Sequence, residues 1–272
     1  MKNSAGEATE SVRSGARALH DNRAFQLAAR AGYAVNGVIH ILIGGIAAAV
    51  AVGAGGDADQ SGALDQVAHA PFGFALLWFL AVGLAALGLF QLVEVVLIRG
   101  TDKEAWGDRA KEGGKGVAYL AVGASAATYA MGGSSDSGEQ TQSLSARLLA
   151  APGGVVVLVV LGLAVAAIGV YFVSKGARRT FLDDIAPPAG KTSTAATASG
   201  VVGYIAKGVA IAIVGVLFVV AAVTADPDEA TGLDGALKTL ADLPFGTVIL
   251  LVVAFGLVAY GLYCFIRARY RR

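Results

Sequence analysis

The chain has 272 residues, and with glycine counted in and tyrosine left out its apolar share is about 67%, against roughly 45 to 50% in soluble domains. Charged residues make up 15% and mean hydropathy is +0.65, where soluble domains carry about 25% charge. These values exclude a disordered chain, a disulfide scaffold (Cys264 is the one cysteine) and an ordinary cytosolic enzyme, and they leave an integral membrane protein.

In chain order, the first 30 residues carry five basic side chains, Lys2, Arg13, Arg17, Arg23 and Arg30, with no apolar core before Phe25. No cleavable signal peptide is therefore expected. Val12, Ala16, Leu19 and Arg23 follow helical spacing, which predicts an amphipathic stretch from Arg13 to Leu27 along the membrane surface. Apolar stretches then run from about Ala31 to Gly53, Phe72 to Ile98, Gly116 to Gly132, Pro152 to Val173, Val201 to Ala225 and Phe245 to Ile266. Each is near the roughly 20 residues that cross a hydrocarbon core about 30 Å thick as a helix. The third is the weakest, because it is 17 residues long and carries Ser125, Thr128 and Tyr129. It needs neighbours to hold it.

Nineteen of the 21 lysines and arginines fall in the N-terminal tail, between Arg99 and Lys115, between Lys175 and Lys207, and after Ile266. The other three loops hold only Arg147 and Lys238, beside ten acids. By the positive-inside rule both termini are cytoplasmic, which requires an even number of spans. The expectation is a multi-pass membrane protein with both termini cytoplasmic.

A repeat runs through the chain. Gly37, Gly116 and Gly208 each stand seven residues before a second glycine, Gly44, Gly123 and Gly215. From the first glycine it is 34, 36 and 36 residues to Pro71, Pro152 and Pro244, and 17 more to Gly88, Gly169 and Gly261. Glycines seven apart share a helix face and let backbones approach, so these six are packing residues. Proline suits the first turn of a helix and marks the start of the even spans. Gly62-Ala63-Leu64 with Val67-Ala68 matches Gly235-Ala236-Leu237 with Leu240-Ala241, and Leu148 keeps one apolar position in the middle copy. This predicts a short amphipathic helix on the outer surface.

The expected fold is all-α and integral to the membrane: six transmembrane helices as three tandem hairpins of one orientation, with pseudo-threefold symmetry along the membrane normal. The organisation is a cytoplasmic tail over 1–29, hairpin repeats over 30–100, 111–182 and 200–272, and a cytoplasmic linker over 183–199. Gly32-Tyr33 before Gly37-Val38, Gly203-Tyr204 before Gly208-Val209, and the entries Pro71-Phe72-Gly73 and Pro244-Phe245-Gly246 resemble the bacterial membrane family catalogued as domain of unknown function 1206, in three copies. The middle copy departs, with Glu112 in place of the tyrosine and Gly153 in place of the phenylalanine. The resemblance implies the architecture and brings no catalytic residue.

Aligning the copies stacks Asn36, Lys115 and Lys207 at one position and Glu94, Lys175 and Arg267 at a second, as a candidate polar belt near the cytoplasmic face. Glu94 lies five residues before Arg99, roughly 7 Å inward at 1.5 Å per residue. It is the one acid inside a span, so a partner such as Lys115 or Lys207 is expected. Two readings stand: a cationic constriction that attracts anions, or lysine and arginine snorkelling to lipid phosphates while Glu94 pairs structurally. His40 falls near the midplane, one turn past Asn36, and Tyr119 falls one turn past Lys115. A proton relay and an interhelical hydrogen bond are the two roles open to them.

Asp57, Asp59, Ser61 and Asp65 imitate the start of a calcium loop, but Ala68 stands where the bidentate glutamate belongs. Gly190-Lys191-Thr192 ends like a phosphate-binding loop without its first glycine. No cofactor, no metal and no nucleic-acid partner is expected, and no nucleophile or acid-pair motif argues for an enzyme. Arg267, Arg269, Arg271 and Arg272 form a polybasic end suited to anionic lipid at the cytoplasmic face. A protein partner is not indicated. The first functional reading is a non-enzymatic membrane module for lipid or protein binding or envelope organisation; the alternative is a small channel or transporter for anions or protons.

Overall fold

The computed structural model describes Ser14, residues 22–100 and residues 102–270. Most of the expected amphipathic stretch before Asn22, and Arg271 and Arg272 of the basic end, lie outside the described residues. Among the described residues there are nine α-helices and no strand: α1 (Arg23–Ala51), α2 (Gln60–His69), α3 (Gly73–Leu97), α4 (Lys103–Ala130), α5 (Ser137–Ala150), α6 (Gly154–Ala177), α7 (Lys191–Thr224), α8 (Gly232–Ala241) and α9 (Gly246–Tyr270). Single 3-10 turns cover Thr180–Asp184 and Pro227–Glu229.

Five of these helices are long and apolar enough to cross a membrane, over Ala29–Ala51, Gly73–Leu97, Gly154–Ala177, Lys191–Thr224 and Gly246–Tyr270. The third expected span is helical as far as Ala130, as the C-terminal half of α4, but α4 is not among the five. Its small and hydroxylated side chains dilute the apolar run. One of them, Thr128, turns its hydroxyl inward and donates to Ala124 O at 3.1 Å, which removes a free donor from the helix surface.

Each even span opens on the same turn, and it differs from the simple proline start. Pro71, Pro152 and Pro244 stand two residues before α3, α6 and α9. Between proline and helix lies a left-handed residue, Phe72 at φ 64°, Gly153 at φ 77° and Phe245 at φ 64°. Gly73 N donates to Ala70 O at 2.9 Å, Gly154 N to Ala151 O at 2.9 Å and Gly246 N to Leu243 O at 2.7 Å. Proline second and a positive φ third is the type II pattern, so proline here serves the turn rather than the first helical turn.

The chain forms two compact units, Met1–Asn36 with Ala70–Gly133, and Gly37–His69 with Ser134–Arg272. In the first, α3 packs along α4, and a Cβ added at Gly88 would stand 2.9 Å from Gly116 O. Asp102 caps α4 by accepting from Ala105 N at 3.0 Å, and Arg109 donates to Ile98 O and Gly100 O at 2.9 and 2.8 Å, closing the turn between the helices.

In the second unit α6 packs along α7, and α7 along α9. The reciprocal approach recurs, with an added Cβ at Gly208 lying 2.6 Å from Gly169 O, and one at Gly37 lying 2.7 Å from Gly261 O. The second glycines follow suit, Gly44 against Ala254 O at 2.7 Å and Gly215 against Gly162 O at 2.6 Å. Backbone touches backbone, the arrangement that substitutes for a hydrophobic drive in lipid. The short helices tie together by polar bonds: Ala58 N donates to Asp234 Oδ1 at 2.8 Å, Ser137 N to Ser61 Oγ at 3.2 Å and Gln142 Nε2 to Asp228 O at 3.3 Å. Ala63, Leu64 and Val67 of α2 and Ala236, Leu237 and Leu240 of α8 are buried, while Leu148 packs against the cluster of Leu158, Ala221, Ala222 and Ala230.

Candidate functional site

The aligned polar positions fall in both units. In the first, Asn36 is buried and Glu94, Lys115 and Tyr119 are half-buried. Lys115 Nζ donates to Glu112 Oε1 at 2.7 Å, and the buried Gln91 donates to Glu112 Oε2 at 2.7 Å. Neither Gln91 nor the role of Glu112 emerged from sequence. A signal was present, because both break the repeat: their counterparts in α6 and α7 are Phe172 and Tyr204, whose rings pack at 5.8 Å between centroids. A hydrogen bond replaces an aromatic contact at one and the same place in the helix pair.

In the second unit Lys175 Nζ donates to Asp184 Oδ2 at 2.7 Å, and Arg267 Nη2 lies 3.4 Å from the same oxygen. Asp184 comes from the 3-10 turn that follows α6. That turn is anchored by Phe181, which stacks on Tyr204 at 5.3 Å and accepts at its carbonyl from Tyr263 OH at 2.8 Å. The segment also docks on the end of α9, since Ala186 N donates to Tyr270 O at 2.6 Å.

Lys207 stands apart from that ion group. Its Nζ lies 3.1 Å from His40 Nε2, 4.2 Å from the ring centroid of Tyr260 and 5.6 Å from that of Phe172. His40 is buried and its ring packs against Tyr260 at 4.7 Å. Proposed above as a partner for Glu94, Lys207 instead has His40 and two aromatic faces around it, and no carboxylate partner among the described residues. Sequence could place His40 and Lys207 one helix turn from comparable positions, but their meeting depends on the rotation of two helices 167 residues apart.

Asp59 and Lys238 lie outside the apolar helices. Burial pushes the Asp59 carboxyl above its ordinary value, against the pull of hydrogen bonds from Ser61 Oγ at 2.6 Å and Gly62 N at 3.0 Å. Lys238 is held above its ordinary value by its bond to Asp234 at 2.7 Å. Among the described residues no three His, Cys, Asp or Glu side chains converge as a metal site. In the stretch that imitates the start of a calcium loop, Asp59 caps α2 by accepting from Gly62 N and Ser61 Oγ, and Asp57 lies 3.4 Å from Lys238.

Repeated apolar helices packed through glycine define a protein of multi-pass membrane type. The family described as Domain of Unknown Function (DUF1206) matches three times, over residues 31–97, 112–179 and 202–271. The chain belongs to that family, in three tandem copies. It is 30% identical over 247 residues to the Uncharacterized protein YxxB of Bacillus subtilis (strain 168), a match covering 89% of this chain and 90% of that one. No solved structure matches it.

Proposed function

We propose that the protein is a non-enzymatic membrane module: six spans, α1, α3, the second half of α4, α6, α7 and α9, as three like-oriented hairpins about a pseudo-threefold axis. Both termini face the cytoplasm of a bacterial inner membrane. Its task is to bind lipid or protein partners or to organise the envelope, and its basic C-terminal end meets anionic headgroups. The observation that carries this reading is the backbone contact between Gly37 and Gly261, Gly88 and Gly116, and Gly169 and Gly208, at equivalent places in three helix pairs. Helices packed backbone to backbone along one face leave no room for side-chain rearrangement there, which suits a rigid platform better than a moving carrier.

The test is flux in proteoliposomes for chloride, phosphate, acetate and protons, with wild type compared with an inserted, folded variant carrying Lys115→Gln, Lys207→Gln and Glu94→Gln. The expected result is no flux above empty liposomes. Flux that the variant loses overturns the module reading. It would favour the second reading, a channel or transporter for anions or protons, which the approach of Lys207 to His40 supports.

A further inference from the structure

We infer that Lys207, with His40, Tyr260 and Phe172, forms a binding site for one anionic oxygen group, a phosphate or a carboxylate. An ammonium inside apolar helices needs compensation for lost water. Three kinds of group face Nζ here: an imidazole nitrogen at 3.1 Å, the Tyr260 ring at 4.2 Å and the Phe172 ring at 5.6 Å. The imidazole accepts one N–H when its own proton sits on Nδ1, and the two rings offer their negative faces. None of them carries a negative charge.

The carboxylate of the 3-10 turn after α6 is already occupied. Asp184 receives Lys175 at 2.7 Å and Arg267 at 3.4 Å. Cys264 and Arg267 are the further ionisable groups that reach Lys207: Cys264 adds negative potential only as a thiolate, and Arg267 adds positive potential. Lys207 is half-buried as a residue, and the neighbours of its head among the described residues are the imidazole and the two rings. A cation offered to π faces on two sides and to a neutral acceptor on a third is shaped to take an anion on the side that remains. Such an anion comes from a lipid headgroup or from solution, and the site binds it whether or not the bundle conducts.

The experiment measures thermal unfolding of the full chain in nanodiscs. Three probes are used: inorganic phosphate and acetate in zwitterionic phosphatidylcholine, and phosphatidylglycerol mixed into the disc without added anion. The expected result is an upward shift of the midpoint that is lost in Lys207→Met and kept in Lys207→Arg. Without any probe, Lys207→Met is expected to unfold no earlier than wild type, because it removes a charge with no carboxylate partner among the described residues. A shift with phosphate or acetate assigns a free anion, and a shift with phosphatidylglycerol alone assigns a headgroup. His40→Phe takes away the accepting nitrogen and is expected to enlarge the shift, which keeps the test alive if Lys207→Met fails to fold. Equal shifts in wild type, Lys207→Met and His40→Phe, or no shift with any of the three probes, overturn the site.

Discussion

Gly37 and Gly261 meet through their backbones: a Cβ on Gly37 would stand 2.7 Å from the carbonyl oxygen of Gly261, and one on Gly261 would stand 2.6 Å from that of Gly37. Real Cβ atoms do not approach oxygen so closely, so either substitution must part the helices. Gly37→Ala is expected to lower unfolding stability by about 1–3 kcal/mol, the usual cost of overpacking. Gly45, eight residues on in the same helix, has open space where its Cβ would be. Gly45→Ala is expected to raise stability by about 0.5–1 kcal/mol through the lower entropy of the unfolded chain. Denaturant titration of both variants in detergent checks the pair, and similar losses for the two would show that glycine serves flexibility and not close approach.

The turns that open the even spans make a second contrast. Phe72 and Phe245 are held at φ 64° with their side chains almost fully exposed, while the middle copy has Gly153 at φ 77°. A left-handed phenylalanine is strained where glycine is not. Gly153→Ala is expected to cost about 1 kcal/mol, and Phe72→Gly to stabilise by up to that amount, since strain relief exceeds the added chain entropy. Unfolding midpoints in detergent, which removes any contribution from the bilayer interface, read both.

Asp59 gives a pH dependence with a definite sign. Its folded-state carboxyl titrates above the unfolded value because burial disfavours the charged form. The stability it contributes is therefore full below the ordinary aspartate range and is lost as pH rises through the raised value. Asp59→Asn keeps an oxygen to accept from Gly62 N and Ser61 Oγ but never ionises. The variant is expected to match wild type at low pH and exceed it in stability at neutral pH. A gap that is constant across pH would remove the burial argument.

How much was legible follows the physics of each feature. Glycine and proline spacing is a geometric code written along one helix, so the packing faces and the approximate starts of α3, α6 and α9 could be read, but not that proline sits in a turn before each helix. The turn type could not, because phenylalanine in a left-handed conformation defies its own preference. The α2 and α8 helices were legible because Ala63-Leu64 and Ala236-Leu237 repeat the same buried pattern. The encounter of Lys207 with His40, and of Asp184 with Arg267, depends on how distant helices rotate, which no local pattern encodes. Lys175, by contrast, meets Asp184 nine residues on because the 3-10 turn follows α6 directly.

Gln91 and Glu112 show what a paired departure from a repeat can encode. Between α6 and α7 the equivalent residues, Phe172 and Tyr204, pack ring on ring, whereas between α3 and α4 Gln91 donates to Glu112, which also holds Lys115. Glu112→Tyr leaves the buried Gln91 without its bond, and Gln91→Phe takes one of two donors from the half-buried Glu112. Gln91→Phe and Glu112→Tyr are each expected to destabilise by about 1–3 kcal/mol. The double variant rebuilds the aromatic pair of the sister interface and is expected to recover part of the loss, giving a coupling of about 0.5–3 kcal/mol in a double-mutant cycle. Recovery is expected to be incomplete, because Lys115 loses the carboxylate at 2.7 Å in the double variant as it does in Glu112→Tyr. Adding Lys115→Asn, the residue found at Asn36 in the first copy, is expected to restore the remainder; strictly additive losses across the cycle would mean that the two departures arose independently.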